Sequence, residues 1–146
     1  MSHASPDEKK WILVIDSQET MRDILERFLN ADGYFVSTAA DADEGVAKAR
    51  SLPLSLVILD LDLPFSGGLC ALAELKGSPA TEHLPLLLIS SKFHERDLRG
   101  LARPGRDGYL TMPFSYTEVH DSVSDLLGLD ERKADDSRKH KTIDKP

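Results

Sequence analysis

The chain has 146 residues, enough for one domain with a substantial core, and a formal net charge of −7. The acidic balance argues against nucleic acid as a partner, and no run of 18 apolar residues exists, so no membrane span is expected. The opening MSHASPDEKK lacks an apolar signal core, and Cys70 stands alone without an internal disulfide partner, which fits a reducing, cytoplasmic setting.

Residues 1–10 are polar and are expected to be flexible. Residues 11–15, WILVI, form an apolar run that ends in an acid, Asp16. Ser17 is the expected cap of a helix on which Met21, Ile24, Leu25, Phe28 and Leu29 recur at helical spacing, with Gly33 just past its end. Residues 34–38, YFVST, make a short β-prone run. Asp41 and Glu44 have capping-box spacing, with Asp in place of Ser or Thr, ahead of a helix carrying Val46, Ala47 and Ala49.

Residues 56–64, LVILDLDLP, are the stretch around which the chain is organised. Four apolar residues run into Asp60, with Asp62 two places on and Pro64 closing the turn. Such a run suits a strand buried on both faces, and its carboxylate falls at the strand's carboxyl end, where open α/β sheets place their ligand sites. A buried strand has no structural use for two acids at its mouth. Chemistry or a cation is therefore preferred over a turn-initiating Asp before a Pro.

Leu69, Leu72, Ala73 and Leu75 mark a third helix that ends at Gly77. Residues 85–89, PLLLI, form another fully apolar strand, followed by Ser90 and Ser91. A polar helix over about 95–102 stops before Pro104-Gly105. Residues 108–111, GYLT, make a fifth strand. Ser115 and Glu118 form a full capping box before Val119, Val123, Leu126 and Leu127 on one helical face. Residues 129–146 are charged and nearly without apolar anchors, so a flexible tail or linker is expected there. The histidines (His3, His83, His94, His120, His140) have no metal-ligand spacing and read as surface residues. Five strands alternating with five helices require parallel crossovers and a sheet covered on both faces, a doubly wound α/β domain over residues 11–128.

Two strands ending in acids, a third ending in Ser90, and GYLTMPF before the last helix together resemble the receiver domain of bacterial response regulators, over about residues 11–128. The resemblance implies a flavodoxin-like fold with a five-stranded parallel sheet. It implies that Asp60 accepts a phosphoryl group from the histidine of a partner kinase or a phosphotransfer protein. An acidic pair after the first strand holds Mg²⁺ in that family, matching Asp16 and Ser17. A Thr or Ser that binds the phosphoryl group matches Ser90, and an aromatic that swings inward on activation matches Tyr109. The lysine that precedes Pro-Phe matches Met112.

Two positions thus depart from the family pattern: Ser17 replaces the second acid and Met112 the lysine. Mg²⁺ takes hard oxygen ligands, usually one or two carboxylates plus waters, so Asp16 and Asp60 alone make a weakened site. Asp62 is the candidate compensating ligand, at the position whose backbone carbonyl binds the metal in the family. The lost lysine would have made a charge-assisted bond, worth roughly 1.5–3 kcal/mol. Lys92 is its candidate stand-in, set against the plain reading of a solvent-facing loop lysine.

The expected function is a signalling receiver, weakly phosphorylated or phosphorylation-independent, and not an enzyme. It would act on a downstream protein through its fourth helix, fifth strand and fifth helix. A homodimer through the fourth helix is an open option, because the Pro104-Gly105 break would alter the usual surface. The alternative is a haloacid-dehalogenase-type phosphatase with Asp60 as nucleophile and Asp62 as general acid. That signature normally opens its domain, whereas here a strand-helix-strand-helix segment precedes it and 86 residues follow. A further reading makes the chain the amino-terminal piece of a longer regulator, with residues 129–146 as linker.

Overall fold

In the computed structural model, residues 9–139 are described, with side chains through 128. The flexibility expected of the two termini falls, for residues 1–8 and 140–146, outside the described residues. The elements are β1 (Trp11–Ile15), α1 (Glu19–Ala31), β2 (Phe35–Ala39), α2 (Ala42–Ser51), β3 (Leu56–Asp60), α3 (Gly67–Gly77), β4 (Leu86–Ser90), α4 (Glu95–Leu101), β5 (Gly108–Thr111) and α5 (Tyr116–Lys139). A single 3-10 turn, Pro64–Ser66, joins β3 to α3.

All strand pairings are parallel, and the sheet order is β2-β1-β3-β4-β5. The chain moves outward from β1 to β2, then returns to the other side of β1 for β3. The order therefore reverses between β1 and β3, and their carboxyl ends open a crevice. β3 and β4 are buried at every position, as unbroken apolar runs require of strands covered on both faces.

Strand alternation splits the core in two. Leu13, Ile15, Val57, Leu59, Leu86 and Leu88 face Val46, Leu72, Leu75 and Leu98, from α2, α3 and α4. Ile12, Val14, Leu56, Ile58, Leu87 and Ile89 face Leu25 and Leu29 of α1 and Val119, Val123 and Leu126 of α5. Burying a Leu or Ile side chain contributes about 1.5–3 kcal/mol, so these two layers dominate stability.

Both predicted capping boxes form. The Asp41 carboxylate accepts from Glu44 N at 2.8 Å, while Glu44 Oε1 accepts from Ala40 N at 2.9 Å, one residue before the cap. Glu118 N donates to Ser115 Oγ at 3.1 Å, and Ser115 N to Glu118 Oε1 at 2.8 Å. Ser17 does not cap α1. The helix starts at Glu19, because the Asp16 carboxylate takes the Gln18 amide and holds Gln18 extended ahead of it. β2 lies one residue later than its β-prone run, at 35–39. The last helix does not stop near 128 but continues to Lys139, so the charged stretch is helical over 129–139.

Two polar ties brace the periphery. The Asp107 carboxylate, with no exposed side-chain surface, accepts from Leu86 N at 3.0 Å and from Arg103 N and Nε at 2.8 Å. Asp32, just past α1, accepts from the Tyr116 hydroxyl and lies 2.9 Å from His120 Nδ1, joining α1 to α5. Gly68, at the start of α3, sits so close to β3 that a Cβ there would lie 2.5 Å from Leu61 Cα and 2.7 Å from the Asp60 carbonyl oxygen.

Candidate functional site

The strand register brings the predicted residues to one edge. Asp16 directly follows β1, with its amide bonded to the Ala39 carbonyl at 3.0 Å, and Asp60 and Ser90 are the last residues of β3 and β4. Ser90 is paired in register with Thr111, so the end of β5 lies beside it. Asp16 is 1% exposed, Asp60 4% and Ser90 0%, an unusual concentration of buried polarity over an apolar core.

Asp60 Oδ1 accepts from Asp62 N at 2.8 Å, and Asp16 Oδ1 from Gln18 N at 2.9 Å. Arg22 Nη1 donates to the Asp16 carbonyl at 2.8 Å. Burial pushes the Asp60 carboxyl up to about 7, reinforced by the charges of Asp16 and Asp62 and by its hydrogen bond with the Asp16 carboxyl. Burial also raises Asp16, against the Gln18 amide, which favours its charged form. Two crowded acids, short of positive charge, are the electrostatic signature of a cation site.

The donor set fits a small hard cation. Mg²⁺ is commonly held by one or two carboxylates together with waters and phosphate oxygens. Among the described residues, no three His, Cys, Asp or Glu side chains converge on one metal position. Asp62 explains why the third acid is not there. Its carboxylate turns to the loop after β4, where Oδ1 accepts from Ser90 Oγ at 2.7 Å. Oδ2 accepts from Ser91 N at 2.7 Å and Ser91 Oγ at 2.9 Å. In this structure the carboxylate expected to replace the missing metal ligand is thus engaged by Ser90 and Ser91. Burial pushes Asp62 up, but the Ser91 amide, the Ser90 and Ser91 hydroxyls and the Lys92 ammonium together hold it below the usual carboxylate range.

Ser90 Oγ also accepts from Lys92 N at 3.0 Å and Phe93 N at 2.9 Å, which winds the chain toward α4. Lys92 is exposed, and its charge acts on Asp62. Ser17 is exposed and lines a cavity of about 380 Å³ with Asp41, Asp43, Leu63, Phe65 and Cys70. Tyr109 is half-buried against the layer of α2, α3 and α4, together with Phe93. Met112 is half-buried on the opposite layer, with Phe114. Its apolar side chain is used for packing and offers the site no donor.

Sequence reasoning passed over Ser91 and Arg22. The signal for Ser91 was a second hydroxyl beside Ser90 at a strand end facing an Asp. For Arg22 it was a cation one helical turn into the helix that follows Asp16.

A family model described as the response regulator receiver domain matches residues 12–124. The chain is 30% identical over 118 residues to the chemotaxis protein CheY of Halobacterium salinarum, covering 81% of this chain and 97% of that protein. It is 34% identical over 128 residues to the alkaline phosphatase synthesis transcriptional regulatory protein PhoP of Bacillus subtilis. That match covers 88% of this chain but only 52% of the relative, so the chain spans about half the length of such transcriptional regulators. Among solved structures, the response regulator TrrA of Thermotoga maritima, in complex with Mg²⁺-BeF, superposes with a TM-score of 0.69 at 28% identity. The superposition covers 80% of this chain and 98% of that one. No helix among the described residues is long and apolar enough to cross a membrane.

Proposed function

The chain belongs to the response regulator receiver family, and from that premise we propose that Asp60 is its phosphoacceptor, in a switch site weakened by Ser17 and Met112. The observation that carries this is the position of Asp60: buried, at the end of the central strand, beside Asp16 in the crevice where the strand order reverses. A carboxylate oxygen of Asp60 would form the new bond to phosphorus as the bond to the donor's leaving group breaks. The donor would be the phosphohistidine of a kinase or phosphotransfer protein.

Attack requires the ionised acid, so a carboxyl raised to about 7 is held partly protonated at neutral pH until a cation arrives. Asp16, Asp60 and the Asp62 carbonyl are the groups we assign to hold Mg²⁺. When bound, the ion would neutralise charge on the phosphoryl oxygens and favour the ionised Asp60. With Ser17 in place of the second acid, that site is weak. With Met112 in place of the lysine, no ammonium draws the modified Asp60 toward β5. Phosphorylation therefore shifts the domain's equilibrium little. Output runs through protein contacts made by α4, β5 and α5, where Tyr109 is half-buried. The module acts by being read and has no turnover of its own. Family membership favours this reading over the phosphatase alternative, because Asp60 here ends the third strand of a receiver fold and Leu61 and Asp62 follow in the turn.

Intact mass after incubation with acetyl phosphate, with and without Mg²⁺, tests the reading, with Asp60→Asn as control. A Mg²⁺-dependent adduct of low yield, absent in the control, is expected. No adduct on the folded protein removes Asp60 as acceptor and leaves a receiver read only through its surface.

A further inference from the structure

Three donors converge on the Asp62 carboxylate: the Ser90 hydroxyl, the Ser91 amide and the Ser91 hydroxyl, at 2.7, 2.7 and 2.9 Å. They lie at the carboxyl end of β4, next to Asp60 at the end of β3. These are the donors a phosphoryl group on Asp60 would need, because such a group brings three strong acceptor oxygens and no proton to give. The supply of hydrogens is limited. A serine hydroxyl has one hydrogen, and Ser90 has given it to Asp62 while its oxygen accepts the amides of Lys92 and Phe93. The Ser91 amide has one hydrogen as well, and Asp62 holds it. The two anions cannot share these bonds.

We propose that Asp62 is a resident anion of the switch site, holding the Ser90–Ser91 donors in place of a phosphoryl group, so that modification of Asp60 must displace it. This deepens the phosphoacceptor reading and rests on it. Before any modification, the segment after β4 is tied toward β3 by a carboxylate, through the bonds that a phosphoryl group would otherwise make. A further negative charge on Asp60 meets Asp62 at close range and finds its donors taken, so the unmodified arrangement is favoured. The same contact supplies a reason for a receiver to present α4 and β5 in one arrangement regardless of phosphate.

The test is titration with beryllofluoride in the presence of Mg²⁺, followed through the amide resonances of Ser91, Lys92 and Phe93. Hydrogen bonds to charged groups shift equilibria by about ten- to a hundredfold each, so Asp62→Ala is expected to bind beryllofluoride at least about tenfold more tightly than the unaltered protein. Asp62→Asn, which keeps the size and removes the charge, should shift in the same direction and serves if the alanine variant folds poorly. Ser90→Ala should weaken binding less on the unaltered background, where the hydroxyl must first be withdrawn from Asp62, than on the Asp62→Ala background. On the Asp62→Ala background it should cost about tenfold. Equal or weaker binding by the Asp62 variants, or the same Ser90 effect on both backgrounds, overturns the proposal alone. No binding by any variant removes the phosphoacceptor reading and this proposal with it.

Discussion

Replacing Asp60 by asparagine should make the metal-free protein more stable, and more so at pH 8 than at pH 5. The folded-state carboxyl lies at about 7 against an ordinary 3.8. A carboxyl raised on folding binds its proton more tightly in the folded state, so stability falls as pH rises between the two values. The penalty is absent below the lower value and complete above the upper one. At about 1.4 kcal/mol per unit, the full penalty has a ceiling near 4 kcal/mol. The group stands at the mouth of a crevice, where water and counterions screen it, and about half of that, roughly 2 kcal/mol, is the expected gain at pH 8. At pH 5 the gain should shrink to under about 1 kcal/mol. Urea unfolding of both proteins in EDTA at the two pH values measures this directly. Adding Mg²⁺ should then stabilise the unaltered protein and leave the variant unmoved. A variant no more stable at pH 8 than the original, or a gain independent of pH, would refute the electrostatic account of the crevice.

Three further outcomes follow from structure away from the crevice. Asp107→Ala leaves the Leu86 amide and the Arg103 guanidinium without their shared partner, and should cost about 3 kcal/mol in urea unfolding. Phe65 is fully exposed at a φ of 59°, so Phe65→Gly loses no burial and relieves a left-handed backbone. It should gain about 1 kcal/mol, and a loss would contradict the assignment of strain there. The Asp32 carboxylate raises the His120 imidazole above 6.5, and an NMR titration should find that shift abolished by Asp32→Asn. Because the folded value is the higher, the tie between α1 and α5 is fully formed below the unfolded value and is lost as pH rises through the folded one.

The fold was legible where burial writes an unmistakable pattern. β3 and β4 are apolar at consecutive positions because helices cover both their faces, and the acid and hydroxyl that end them stand out for that reason. β2, on the sheet edge, is only half-buried over much of its length, and its blurred pattern left its position uncertain by one residue. The continuation of α5 was hidden because nothing apolar recurs beyond Leu129 to mark a face, while the Glu, Arg, Lys and Ala present there favour helix by propensity. Within the site, identities were readable but partnerships were not. Asp62 meets Ser90 and Ser91, which lie 28 and 29 positions further along the chain, and no local spacing announces such a contact. The same holds for Asp32 and His120, 88 positions apart.

The glycine at position 68 gives the two walls of the crevice different stiffness. On one side, the start of α3 rests on the backbone of Asp60 and Leu61 so tightly that not even a methyl group would fit between them. Contact of that kind resists compression and has no alternative partner to exchange with. On the other side, the chain after β4 is held by hydrogen bonds from Ser90 and Ser91, which can pass to another acceptor once Asp62 is displaced. A perturbation at Asp60 thus meets a rigid abutment toward α3 and a compliant one toward Phe93 and α4. The domain behaves as a one-sided spring, and the direction in which it yields is set by where a side chain is missing.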